Sequence, residues 1–134
     1  MNSSHNTTQF INKDAFAKSI GIKLLEVSKG YARAELTINP THLNGLQTVH
    51  GGVIFTLADL AFAAAANSHD CPAMAININI SYMKAVSEGT LIAEAIELSK
   101  SNKLATYNVI VTSDAGDHIA HFHGMAYRKK TVEK

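Results

Sequence analysis

The chain has 134 residues, of which 46% are hydrophobic and 17% charged, with a formal net charge of +1. That is enough for one ordinary domain with a real core, and the composition is that of a globular chain rather than a disordered one. The near-zero charge gives no basis for nucleic acid as a partner, and the low charged fraction leaves apolar surface that favours assembly of several copies. In chain order, residues 1–10 (MNSSHNTTQF) are polar, lack the apolar core of a secretory leader and are expected to form a flexible tail. Residues 12–20 (NKDAFAKSI) read as a short helix closed by Gly21, and two strands are predicted over 22–28 and 31–38, joined by a Ser28-Lys29-Gly30 turn. Residues 39–50 (NPTHLNGLQTVH) form a loop longer than most connections, the kind of segment that often carries function.

The run GGVIFTLADLAFAAAANS follows. Its alanines and leucines favour helix, Asn67-Ser68 can stop it, and it is apolar on nearly every face, so it must be buried on most sides. The remaining elements are strands. In AININISYM the residues Ile76, Ile78, Ile80 and Tyr82 alternate with Asn77, Asn79 and Ser81, which predicts a sheet with one face on the core. Further strands are expected near 90–99, 104–113 and 118–128, separated by Ser101-Asn102 and Ala115-Gly116-Asp117 turns. Strands gathered around one apolar helix predict an α+β fold in which one curled antiparallel sheet covers the helix. A long open sheet edge invites pairing, which a dimer would satisfy. Cys71 is the only cysteine, so no intrachain disulfide forms, and the apolar run at Val53–Ala66 is broken by Asp59 and is shorter than the ~20 residues of a membrane helix. The expectation is a cytoplasmic protein with no membrane partner.

Asp59 is the one charged residue of the long helix. A buried, unpaired carboxylate is costly, so it is either a structural aspartate held by a nearby backbone or basic group, or a catalytic base or nucleophile in a cleft. His50-Gly51-Gly52 stands at the start of the same helix, where free N–H groups and the positive end of the helix dipole can hold the oxygen of a polarised carbonyl. Read more plainly, the two glycines are a flexible turn that admits the helix. Gly51 and Asp59 are eight residues apart, or about 12 Å along a helix axis, so one small reacting group cannot touch both within a subunit. If they cooperate, two antiparallel helices must meet across a two-fold axis, and the catalytic reading requires a dimer with two equivalent sites.

Asn44, His50-Gly51-Gly52 and Asp59, set in NGLQTVHGGVIFTLADLAFAAAANS and followed by ININISYMK, resemble the hotdog-fold acyl-coenzyme A thioesterases of the phenylacetic-acid-degradation type. The resemblance implies a single hotdog domain over residues 11–130, a curled antiparallel β-sheet wrapped around one long central α-helix. It also implies hydrolysis of acyl-CoA thioesters without a bound cofactor or metal, in homodimers that commonly pair into homotetramers. By the same resemblance, the Gly51 N–H polarises the thioester carbonyl, Asp59 of the partner activates water or attacks directly, Asn44 places the water or the aspartate, and His50 orients the loop. Some relatives carry Ser or Thr near the start of the strand after the helix, where Ala75 stands here.

Further candidates come from the substrate's chemistry. Coenzyme A phosphates call for cations near the site mouth, for which Lys84, Lys100, Lys103 and Arg128 are candidates beside ordinary solvated surface. Gly52 is expected to let substrate approach the helix start. Phe55 and Phe62, flanking Asp59 on the helix, are expected either to line an acyl or aryl pocket or to pack in the core. His121 and His123 share a strand face, with His118 expected on the other, and no metal site is expected there. Cys71 reads as a passive thiol. Two competing functions are a hotdog dehydratase or hydratase, whose His-Phe-Pro motif is replaced here by THLNGLQTVHGG, and an acyl-CoA-binding protein without turnover.

Overall fold

Small side chains set how closely helix and sheet approach. The structure, a computed structural model, describes residues 11–129; the tail expected at 1–10 and the expected domain boundary at 130 lie outside them. Six antiparallel strands form one sheet in the order β1-β2-β4-β5-β6-β3: β1 Lys23–Ser28, β2 Tyr31–Thr37, β3 Ala73–Tyr82, β4 Thr90–Lys100, β5 Leu104–Ser113 and β6 His118–Arg128. A short helix α1 (Ala15–Ser19) precedes the sheet, and the long helix α2 (Gly51–Ala66) lies in its concave face. Where α2 crosses, the sheet presents Ala32, Ala34, Ala93, Ala95, Ala105 and Ala126, all buried, and α2 answers with Ala58, Ala61, Ala64 and Ala65. These short side chains bring the backbones close. At Gly124 the fit is tightest: a Cβ there would lie 2.7 Å from the Phe62 ring, so only glycine lets that ring cross β6. This is the hotdog architecture, an α+β fold as the sequence predicts.

Local signals explain the element ends. α1 opens at Ala15 rather than residue 12 because the Asp14 side chain accepts the Ala17 N–H (3.0 Å) and caps the helix there. Gly21, at φ +91°, turns the chain out of it. α2 ends as predicted at Asn67-Ser68. The Asn67 side chain donates to Ala63 and Ala73 carbonyls and accepts the Ala73 N–H, tying the helix end to the start of β3. The fully buried Ser68 hydroxyl donates to Ala65 C=O and accepts the Gly30 N–H, both at 2.7 Å.

β3 departs from the predicted pattern in one place. Ile78, Ile80 and Tyr82 pair with Gly124, Phe122 and Ala120 and share their inward face, but a bulge between Ala75 and Asn77 displaces Ile76 and leaves it exposed. As the last strand of the sheet, β3 keeps one edge unpaired. No helix among the described residues is long and apolar enough to cross a membrane.

Candidate active site

The long loop before α2 is tied down at several points. His42 is buried. Its Nδ1 accepts the Asn39 N–H (3.0 Å), which leaves Nε2 to carry the proton and donate to Ile20 C=O (2.7 Å). The His50 N–H donates to His42 C=O, and the Val49 N–H to Val86 C=O, each at 2.8 Å. Asn44 closes the turn between them: Oδ1 accepts the Leu46 N–H, the Thr48 N–H and the Thr48 hydroxyl, and its own N–H donates to Thr48 C=O. The side-chain oxygen of Asn44 is therefore structural, while its Nδ2 has no hydrogen-bond partner among the described residues.

His50 caps α2. Its Nδ1 accepts the Gly52 N–H (2.9 Å), and its carbonyl accepts the N–H groups of Val53 and Ile54. The Gly52 donor expected to face substrate is thus already engaged, because the first helical turn satisfies its orphan N–H groups locally where it can. The Gly51 N–H has no acceptor among the described residues, and it sits at the positive end of the helix dipole. Gly51 also borders an open groove of about 300 Å³ lined by Thr48, Val49, Ile54, Tyr82 and Lys84 among others. The Tyr82 hydroxyl donates to Gly51 C=O (3.0 Å), a contact the sequence reading did not draw. Element lengths carry its signal. The chain reverses after α2, so β3 runs back along the helix and its last residue meets the helix's first.

Asp59 lies midway along α2, half-buried, without a hydrogen bond or ion pair among the described residues. Burial pushes its carboxyl above the ordinary aspartate value, and the charge of Asp14 pushes the same way. Asp59 is not among the residues lining the groove at Gly51.

The remaining predicted residues separate. Phe55 is half-buried and its ring packs on Phe122, with centroids 5.7 Å apart. Phe62, expected as a pocket wall or a core residue, is 2% exposed between Tyr107 and Phe122 and belongs to the core. The reason is axial. At 100° per residue both rings stand to the same side of Asp59, Phe55 by about 40° and Phe62 by about 60°, but Phe62 lies two turns further along α2, where Tyr107 and Phe122 enclose it. Lys84 borders the Gly51 groove and pairs with Asp117 at the surface (2.8 Å). Lys103 lies in the β4–β5 turn, where its carbonyl accepts the Arg128 N–H; that end of the sheet adjoins the C-terminal end of α2. Lys100 ends β4 beside it, and the Arg128 guanidinium donates to Ser101 C=O. His118 is not on the opposite face from His121: a register shift at Ile119 turns it to the same side, and the two rings hydrogen-bond at 2.8 Å. Among the described residues no group of three or more His, Cys, Asp or Glu is arranged to hold a metal.

A curled antiparallel sheet around a central helix defines a hotdog protein, and among the described residues the amide at that helix's start and the carboxylate at its middle have no partner. The chain belongs to the thioesterase superfamily, which it matches over residues 46–120. A protein of Archaeoglobus fulgidus is 46% identical over 116 residues, 86% of this chain and 75% of that one. The acyl-coenzyme A thioesterase PaaI of Escherichia coli is 32% identical over 124 residues, 92% of this chain and 89% of its own. The solved structure of E. coli PaaI, from the phenylacetic acid degradation operon, superposes with a TM-score of 0.90 at 30% identity, covering 98% of this chain and 99% of that one.

Proposed function

We propose that this thioesterase hydrolyses acyl-coenzyme A thioesters at centres shared between two subunits, with Gly51 of one chain facing Asp59 of the other. The observation that carries the sharing is that Gly51 and Asp59 lie about 12 Å apart along one rigid helix, too far to act on one carbonyl, and that Asp59 does not line the groove at Gly51. The unpaired edge of β3, with Met74, Ile76, Tyr82 and Met83 exposed on and beside it, supports a two-fold partner that continues the sheet. Ile96, Leu104 and Tyr127 on the outer sheet face support the pairing of two such dimers into a tetramer. A single domain over residues 11–130 and a cytoplasmic setting complete the reading; the sole cysteine suits a reducing compartment.

In this centre the Gly51 N–H donates to the thioester oxygen and stabilises the charge that develops there. The partner's Asp59 carboxylate takes a proton from water as its oxygen attacks the carbonyl carbon. The carbon–sulfur bond then breaks, and the thiol of coenzyme A leaves with the proton that Asp59 had taken. A carboxyl whose affinity for protons is raised by burial is a better base for this step. Asn44 Nδ2, without a partner among the described residues, donates to this water. Lys84, at the groove, receives the phosphates of coenzyme A, and Lys103 reaches them only from another subunit. Phe55 offers the acyl group an aromatic edge.

Release of free thiol from a panel of aryl-acetyl, medium-chain and long-chain acyl-CoAs tests the activity. Turnover of at least one class is expected, and binding without thiol release from any of them would leave only an acyl-CoA-binding protein.

A further inference from the structure

Neither glycine at the start of α2 is required by backbone conformation, since neither has a positive φ. Each is bare because a ring occupies the place of its side chain. A Cβ on Gly51 would meet the Tyr82 ring at 3.3 Å, and a Cβ on Gly52 would meet His50 Nδ1 at 3.2 Å. Two adjacent glycines would by themselves loosen the first turn. Here the peptide between them is held at both ends: Tyr82 donates to its carbonyl at 3.0 Å and His50 accepts its N–H at 2.9 Å. The preceding peptide is held through the His50 carbonyl, which takes the Val53 and Ile54 N–H groups. That preceding peptide carries the Gly51 N–H, the one donor of this first turn without an acceptor among the described residues, and Gly51 Cα joins it to the peptide that Tyr82 and His50 hold.

We propose that Tyr82 is a positioning residue for the reaction: its ring on the Gly51 α-carbon and its hydroxyl on the Gly51 carbonyl aim the Gly51 N–H into the groove. This rests on the assignment of that N–H to the thioester oxygen. Burial raises the Tyr82 phenol above its ordinary value, which keeps the hydroxyl a donor across the working range of pH. Preorganised donors stabilise charge because they need no reorientation during the reaction. An amide free to swing would bind substrate about as well and stabilise the transition state less.

The test compares Tyr82→Phe, which keeps the ring and removes the hydroxyl, with the wild-type dimer in steady-state kinetics and in amide NMR. Expected are a drop in kcat of about tenfold, the rate equivalent of one neutral hydrogen bond, with KM little changed, and a shifted Gly51 amide resonance. A wild-type kcat together with an unshifted Gly51 resonance would overturn the proposal. The ring is tested through Gly51→Ala, which keeps the N–H. It is expected to cost kcat in the wild type and much less on a Tyr82→Ala background, where the colliding ring is gone. Equal losses in both backgrounds would overturn the ring's part. The NMR readout needs no turnover, so it judges Tyr82 even if Asp59→Asn keeps full activity and the shared-site reading fails.

Discussion

The two ends of α2 are built by opposite rules. At the C-terminal end Asn67 ties the helix to β3, buried Ser68 joins it to Gly30, and Glu97 accepts from His69 and Tyr107, both at 2.8 Å. At the start and the middle of the helix, an amide and a carboxylate have no partner among the described residues, at Gly51 and Asp59. Unsatisfied polar groups cost stability, so their retention marks where the fold yields to chemistry, and the paired end anchors the helix that carries them.

The largest expected effect breaks the contrast at its unpaired half. Asp59→Asn should keep the fold and the assembly while lowering kcat by at least about 100-fold, the low end for loss of a general base. Wild-type turnover in a thiol-release assay would remove Asp59 from the chemistry.

Next is the paired end. Burial alone would raise the Glu97 carboxyl, but hydrogen bonds from His69 and Tyr107 bring it below its ordinary value. A folded carboxyl more acidic than in the unfolded chain stabilises fully above the unfolded value of 4.5, and that contribution is lost as the pH falls through the lower folded value. Glu97→Gln should cost about 1–3 kcal/mol in denaturant unfolding at neutral pH, flatten the acid limb of the stability curve, and leave kcat within about twofold of wild type. A large loss of kcat in a fully folded variant would mean that the two ends are not separable.

The smallest effect has the opposite sign. The Asp59 carboxyl is raised above 3.8, so its contribution to stability is greatest below that pH and declines as the pH rises through the folded value. Asp59→Asn should therefore raise Tm at neutral pH by about 2–4 °C. The gain should shrink toward pH 4, and a lowered Tm would show that an assembly partner already satisfies the carboxylate.

What the sequence disclosed follows the same division. The bounds of α2, its burial and the oddity of Asp59 are local facts, written in Gly-Gly, Asn-Ser and a run of alanines, and they are legible. Ile76 and His118 were misplaced because a bulge belongs to a strand pair: each of their strands alternates well when read alone. Asn44 read as a functional residue, yet its oxygen is consumed by Leu46 and Thr48, a turn whose geometry its own letters only suggest. Tyr82 read as one more inward residue of β3, because its meeting with Gly51 depends on where a thirty-residue excursion returns. Phe62 read as either a pocket wall or a core residue, and only its meeting with Tyr107 and Phe122 on the sheet decides for the core.

The account turns on two chains completing one centre, and mixing two inactive variants tests that directly. Asp59→Ala keeps the Gly51 donor, and Gly51→Pro keeps Asp59 while deleting the N–H; proline's backbone suits a helix start, and its ring crowds Tyr82 only at the centre this chain already disables. Co-refolded in equal amounts they should recover about a quarter of wild-type thiol release, since half of random dimers are mixed and each mixed dimer has one intact centre of two. Mixed dimers shown to form by native mass spectrometry, yet no more active than either parent, would contradict the shared centre.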